Sequence, residues 1–130
     1  GIYYIPSGEE GHFDVCRAGE IVGAVSVDRC EDGIAQIGEF WLENDVQGLG
    51  FGQQLIGQAL SYARVHGCER LSTGRIAKSN DIGLRRAREW GFAPAAEGTE
   101  WLEFQKNFEY NEEFCWEKLQ DVIEKERKLQ

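Results

Sequence analysis

The sequence predicts an α+β domain, and three observations carry that prediction. A chain of 130 residues that is 42% apolar is long enough for one buried core and too short for two, and its composition is globular rather than disordered. Extended apolar runs separated by glycine-containing turns occupy the first forty residues. Two stretches of helical spacing then alternate with further extended runs, and each ends on a glycine, Gly67 and Gly91, where a left-handed C-cap belongs.

Taken in order, Ile2–Ile5 forms at most a short extended piece that Pro6 and Gly8 end. Two antiparallel strands follow between His12 and Val27, joined at Ala18-Gly19. A charged turn is expected over Asp28–Gly33, and a third strand over Ile34–Leu42. A helix over about 49–66 places Leu55, Ile56, Ala59, Leu60 and Ala63 on one face. Next come a short strand over Glu69–Ile76 and a second helix capped by Ser79 or Asn80 and running to Trp90. Two extended pieces, Phe92–Ala96 and Thr99–Phe108, flank a Glu-Gly turn. The last segment reads as a helix, with Asn111 as N-cap, Glu112 and Glu113 in its first turn, and Lys125, Arg127 and Lys128 in its last. The order is β-β-β-α-β-α-β-β-α, divided into a domain over 1–110 and an amphipathic helix over 111–130.

The segment around which these elements are arranged is Phe40 to Gly52, a strand end, a polar turn and three alternating glycines that open a helix. A glycine loop at a helix N-terminus aims unpaired N–H groups and the positive end of the dipole at one spot, which suits phosphate. The dinucleotide pattern G-x-G-x-x-G does not fit, because the third glycine comes too early, and the Gly-Lys-Ser/Thr ending of a P-loop is absent. The run Gln47-Gly48-Leu49-Gly50-Phe51-Gly52 resembles the pyrophosphate loop of the GNAT superfamily of acyl-CoA-dependent N-acyltransferases. Asn80, preceded by Ser79, and the pair Gly91-Phe92 eleven residues later match the family's next helix. The resemblance spans roughly residues 36 to 92.

It implies an α/β/α sandwich around a mixed, mostly antiparallel sheet of six to seven strands, shortened at the N-terminus and carrying an additional C-terminal helix. It implies acetyl-CoA or coenzyme A as cofactor and transfer of an acyl group, most simply acetyl, to a primary amine. Gln47, Gly48, Leu49, Gly50, Phe51, Gly52 and Gln53 would hold the pyrophosphate, Asn80 the pantetheine arm, and the free backbone of Trp41 and Leu42 the pantetheine and acyl carbonyl. The family's acid and base positions are occupied here by Ala87, Gln36 and Arg75, none of which is an ordinary proton-transfer group. That leaves Glu39, inside the strand, as the candidate base, with Glu43 at the strand end as a second carboxylate. A catalytically weakened coenzyme-binding or protein-interaction module is the alternative. Chemically, a primary amine with a pKa of about 10.4 must lose a proton before it attacks, whereas the departing thiol, at about 8.5, needs little help.

Charge supports the placement of an anionic ligand. The net charge is −9, yet residues 46–91 hold seven bases against three acids, while 1–45 hold ten acids and two bases. Arg85, Arg86 and Arg88 stand in the basic region. The acidic remainder disfavours nucleic acid and suits an amine-bearing, cationic acceptor, small molecule or protein. No membrane span and no signal-peptide pattern are expected. Four scattered cysteines and two histidines offer no metal site and read as reduced thiols in a cytoplasmic protein. The narrow apolar stripe of the last helix suggests a homodimer or partner contact.

Overall fold

The structure, a computed structural model, describes residues 1–107. The helix expected over 111–130, with the homodimer or partner contact assigned to it, lies outside the described residues. The described elements are strands β1 (Tyr3–Pro6), β2 (His12–Arg17), β3 (Glu20–Glu31) and β4 (Ile34–Leu42), a 3-10 turn over Asn44–Val46, helix α1 (Phe51–Val65), strand β5 (Arg70–Ala77), helix α2 (Asp81–Glu89), and strands β6 (Ala93–Glu97) and β7 (Trp101–Asn107). All seven strands form one sheet in the order β1-β2-β3-β4-β5-β7-β6, antiparallel throughout except between β4 and β5. The expected α+β class and strand number hold, and the extended piece expected over Ile2–Ile5 is an edge strand over Tyr3–Pro6, with Pro6 paired to Phe13 instead of ending it.

The expected turn over Asp28–Gly33 is corrected. β3 continues to Glu31, and only Asp32 and Gly33 turn, both at positive φ (54° and 77°), as a two-residue hairpin of primed type demands. Arg29, Cys30 and Glu31 pair with Gln36, Ala35 and Ile34. Their polarity comes from standing exposed at the hairpin tip and does not mark loop backbone.

α1 buries Leu55, Ile56, Ala59 and Ala63, four of the five positions its periodicity marks, and leaves Leu60 half-buried. Against them lie Val15, Val25 and Val27 from β2 and β3, Ala35 from β4, Leu71 from β5 and Phe104 from β7. Ala87 of α2 and Phe92 just after it belong to the same core.

β4 and β5 pair over three positions only, Ile34↔Arg70, Ala35↔Leu71 and Gln36↔Ser72, and then diverge. The parallel contact between them is therefore a fork, closed at Ile34 and open toward Leu42. At the closed end the amides of Glu69 and Arg70 both donate to the Gly33 carbonyl (2.7 and 3.1 Å). The same corner carries a correction. Cys30 on β3 and Cys68, just after α1, are joined as a disulfide with Cα atoms 6.4 Å apart, so these two are not the reduced thiols expected; Cys16 is free and buried. Isolated cysteines show no pairing in sequence because these two, 38 positions apart, are brought together only by the β4–α1 crossover.

Reduction of this bond with a dithiol is expected to lower unfolding stability by about 2–4 kcal/mol, because a 38-residue loop is released in the unfolded chain. Denaturant unfolding with and without reductant, beside Cys30→Ser, measures it; equal midpoints in all three would contradict the cross-link.

Candidate functional site

The loop between β4 and α1 is built from its ends inward. Val46 is buried (3% exposed) and anchors the turn under the sheet. The Gln47 side chain folds back, its Nε2 donating to the Leu42 carbonyl (2.8 Å) and standing 3.4 Å from Asn44 Oδ1. It thus secures the strand end and leaves the following backbone to face outward. Gly48 and Gly50 both take positive φ (79° and 83°), and a Cβ at either would project into open space. Only glycine adopts this backbone without strain, and the space beyond it is left for something else.

Gly50 is the N-cap of α1 and provides no side-chain cap. Among the described residues, the amides from Gly48 through Gln53 donate no hydrogen bond outside the helix. Six successive N–H groups, the last four of them (Gly50–Gln53) orphaned by the geometry of any helix start, thus stand without a described partner at the positive end of the α1 dipole.

Beside them runs a groove of about 420 Å³. One wall is Trp41, Leu42 and Gln47 with Gly48 and Gly50; the floor is Gly52 and Gln53; the opposite wall is Arg86, Glu89 and Trp90 of α2 and its C-cap. The Trp90 ring sits so close to Gly52 that a Cβ there would lie 2.6 Å from it. Gly52 is therefore glycine to admit the indole. Arg86 brings a guanidinium to the groove, 6.0 Å from the Trp90 ring centroid and 3.9 Å from a Glu89 oxygen.

This groove adjoins a second cavity of about 370 Å³ in the fork, and Phe40, Arg86 and Trp90 line both. The second cavity is mostly apolar, with Ile37 from one arm, Thr73 and Ile76 from the other, and Ala87 behind. Asn80 lies on its rim, and its Oδ1 accepts the Gly83 N–H (2.9 Å) as the N-cap of α2. The shape is a channel with polar, amide-rich walls at one end and an apolar slot at the other.

Most of the residues marked by the sequence converge here: Trp41, Leu42, Gln47, Gly48, Gly50, Gly52 and Gln53 on the groove, Asn80 on the cavity. Two do not present their side chains to it. Leu49 is exposed outside the lining, and the Phe51 ring is buried in the core beneath the Arg17 guanidinium (5.3 Å), so each contributes its amide alone. Sequence reasoning missed Phe40, Glu89 and Trp90. Arg86, Glu89 and Trp90 are spaced i, i+3 and i+4, one face of a helix, and that spacing was the available signal.

Glu39 lies on an exposed stretch of β4 where the strand bulges, its amide bonded to Ser26 Oγ (2.7 Å), and it lines neither cavity. Ala87 is buried in the cavity wall, Gln36 packs against Gly74, and Arg75 stacks on Trp101 at 4.2 Å, so none of the three presents a proton-transfer group to the channel. The tyrosines whose ionisation is pushed up stand elsewhere: Tyr4 through burial, Tyr62 through burial and then the adjacent Glu10 carboxylate. Among the described residues no cluster of His, Cys, Asp and Glu could hold a metal, and no helix is long and apolar enough to cross a membrane. A larger groove of about 800 Å³, between Leu60–Arg64 of α1 and the β6–β7 edge, includes none of the marked residues.

A sheet forked at its one parallel contact, with a glycine loop and a helix start beside the fork, defines the class of this α+β domain. Residues 2–92 match the Acetyltransferase (GNAT) family, so the chain belongs to that family. No curated protein matches the chain. Among solved structures it is similar to an IAA acetyltransferase from Bacillus cereus, at 16% identity and a TM-score of 0.64 over 75% of this chain and 77% of that one. It is also similar to the PaiA N-acetyltransferase from Thermoplasma acidophilum, solved with coenzyme A, at 12% identity and a TM-score of 0.67 over 75% of this chain and 60% of that one. A Bacillus subtilis acetyltransferase, also in complex with coenzyme A, gives 15% and 0.65 over 75% and 76%. At these identities the likeness is one of fold.

Gly50→Val is expected to raise the dissociation constant for coenzyme A by roughly tenfold or more, because a β-branched residue is strained at positive φ and its methyls fill the open space. Isothermal titration checks this, with near-UV circular dichroism as a control for folding; unchanged affinity would remove the loop from the binding site.

Proposed function

We propose that the protein is an acetyl-CoA-dependent N-acetyltransferase that moves an acetyl group to a primary amine by direct attack on the thioester. The carrying observation is the run of amides from Gly48 to Gln53, without a hydrogen-bond acceptor among the described residues, beside a groove that adjoins the cavity of the fork. A diphosphate fits that run because its oxygens supply the acceptors the amides lack, and glycines at 48 and 50 let it approach the backbone. Arg86 adds a charge-assisted donor on the facing wall. The apolar slot between Ile37, Phe40, Thr73 and Ile76 suits an uncharged thioester arm and a small acyl group. When bound, the coenzyme supplies the activated acyl carbonyl and a thiol leaving group.

The backbone of Trp41 and Leu42 on the open arm of β4 lacks a β5 partner and can bond amide groups of the pantetheine and orient the carbonyl. In this reading Glu39 removes the proton of the incoming ammonium, directly or through water. Its exposed place on the arm of the fork leaves it open to a cationic acceptor. The acidic first forty-five residues draw such an acceptor toward the sheet. A cytoplasmic setting remains part of the proposal, although the Cys30–Cys68 disulfide removes the thiol argument for it.

A second reading has its own support. Ala87, Gln36 and Arg75 occupy the positions where the resemblance puts the acid and base, and all three are committed to packing. A coenzyme-binding module that serves as an interaction partner would show the same groove.

Free thiol released from acetyl-CoA, measured across a panel of polyamines, aminoglycosides and lysine-containing peptides, separates the readings. Release well above hydrolysis with at least one amine is expected. Glu39→Gln is expected to lower kcat by roughly 10²–10⁴-fold with the acetyl-CoA dissociation constant unchanged. Tight coenzyme binding without release on any amine would favour the module.

A further inference from the structure

Ser26 and Ser72 are the buried polar side chains among the described residues, each 1% exposed. They flank β4 on opposite sides, Ser26 on β3 and Ser72 on β5, and make the same pair of bonds. Ser26 Oγ accepts the Glu39 N–H at 2.7 Å and donates to Asp28 Oδ1 at 2.8 Å. Ser72 Oγ accepts the Gly74 N–H at 3.0 Å and donates to Glu103 Oε1 at 2.5 Å.

Both amides belong to a break in strand register. Between the pairs Val25↔Phe40 and Val27↔Ile37 one residue of β3, Ser26, faces two of β4, Gly38 and Glu39. On the other arm the β5–β7 register slips between Ser72 and Arg75, where Gly74 takes a φ of +71°. These breaks begin where β4 and β5 stop pairing, at Gln36↔Ser72. The next cavity-lining residues on the two arms are Ile37 and Thr73, each directly beside its break.

A bulge leaves an N–H without a ladder partner, and a buried unpaired amide is costly. A hydroxyl solves this only if it accepts that N–H and sends its own proton elsewhere, and here each proton goes to a carboxylate. The carboxylate therefore fixes the hydroxyl, and the hydroxyl fixes the bulge. Gly38 is fitted to the arrangement, since a Cβ there would run into the Asp28 carboxylate. His12 Nε2 lies 3.5 Å from the same Asp28 oxygen and 3.3 Å from a Glu9 oxygen.

We propose that Ser26–Asp28 and Ser72–Glu103 are positioning pairs that set the angle between the two arms of the fork, and so the place of the acyl carbonyl and of Glu39. The proposal rests on the acyltransferase reading above. Ser26 acts through the backbone of Glu39 and Ser72 through the backbone of Gly74; neither lines the channel.

The test combines kinetics, binding and local amide exchange on the full chain. Ser26→Ala and Ser72→Ala are expected to lower kcat by roughly tenfold or more while the acetyl-CoA dissociation constant stays within about twofold. In NMR hydrogen exchange, the Glu39 amide should exchange faster in the first variant and the Gly74 amide in the second. Asp28 is exposed, so its variants keep the proposal testable should the serine variants fold poorly. Asp28→Asn keeps an oxygen acceptor and should retain kcat, whereas Asp28→Ala should follow Ser26→Ala. Unchanged kcat, a dissociation constant that rises in step with falling kcat, or unaltered exchange at these amides would overturn the proposal. If the parent protein releases thiol with no amine, the acyltransferase reading fails by itself. The pairs are then judged by exchange and by the difference in affinity between acetyl-CoA and coenzyme A. Faster exchange with a narrowed difference supports them, and no change in either overturns them.

Discussion

The site depends on hydrogen bonds that β4 and β5 do not make. A parallel pair that continued past Gln36↔Ser72 would give a closed sheet and no slot. Instead the arms separate, the backbone of Phe40 to Leu42 keeps its β3 partners on one side only, and the gap is walled by apolar side chains. Backbone groups denied a partner are expensive inside a protein and valuable at a binding surface, because they recognise a ligand without moving a side chain. The bare start of α1 follows the same logic. Among the described residues the fold thus gathers backbone groups without a sheet or helix partner, along the open arm of β4 and at the loop, beside two adjoining cavities.

How much of this was legible in the sequence depended on the kind of force involved. Ile34–Leu42 was readable to the residue, and α1 and α2 to within two, because apolar periodicity and glycine C-caps are local signals. The loop was readable because Gly48 and Gly50 need a backbone that other residues resist. The hairpin tip at Asp28–Glu31 was misread, since exposed strand and turn share a polar composition. The groove position of Trp90 was not legible because it depends on meeting Gly52 across the groove, a contact between residues 38 positions apart. The Cys30–Cys68 link and the Ser26–Glu39 bond were invisible for the same reason. Long-range complementarity leaves no periodic trace in a single sequence.

Electrostatically the protein is divided rather than uniformly acidic. The cations near the channel are partly engaged among themselves and their neighbours: Arg85 and Arg86 with Glu89, Arg75 on Trp101, Arg88 over Phe104. Exposed pairs of this kind contribute little to stability and are screened by salt. Their effect is to hold positive charge near the groove at small cost, with the Arg86 guanidinium only loosely engaged by Glu89 at 3.9 Å.

The disulfide has a mechanical corollary. Cys30–Cys68 and the paired bonds to the Gly33 carbonyl grip the vertex where β4 and β5 meet. A hinge clamped so firmly at its pin cannot slide, so the spread of its blades is set farther out, at the register breaks beside Gly38 and Gly74. A covalent pin and two serine-held breaks thus divide between them the task of keeping one gap at one width.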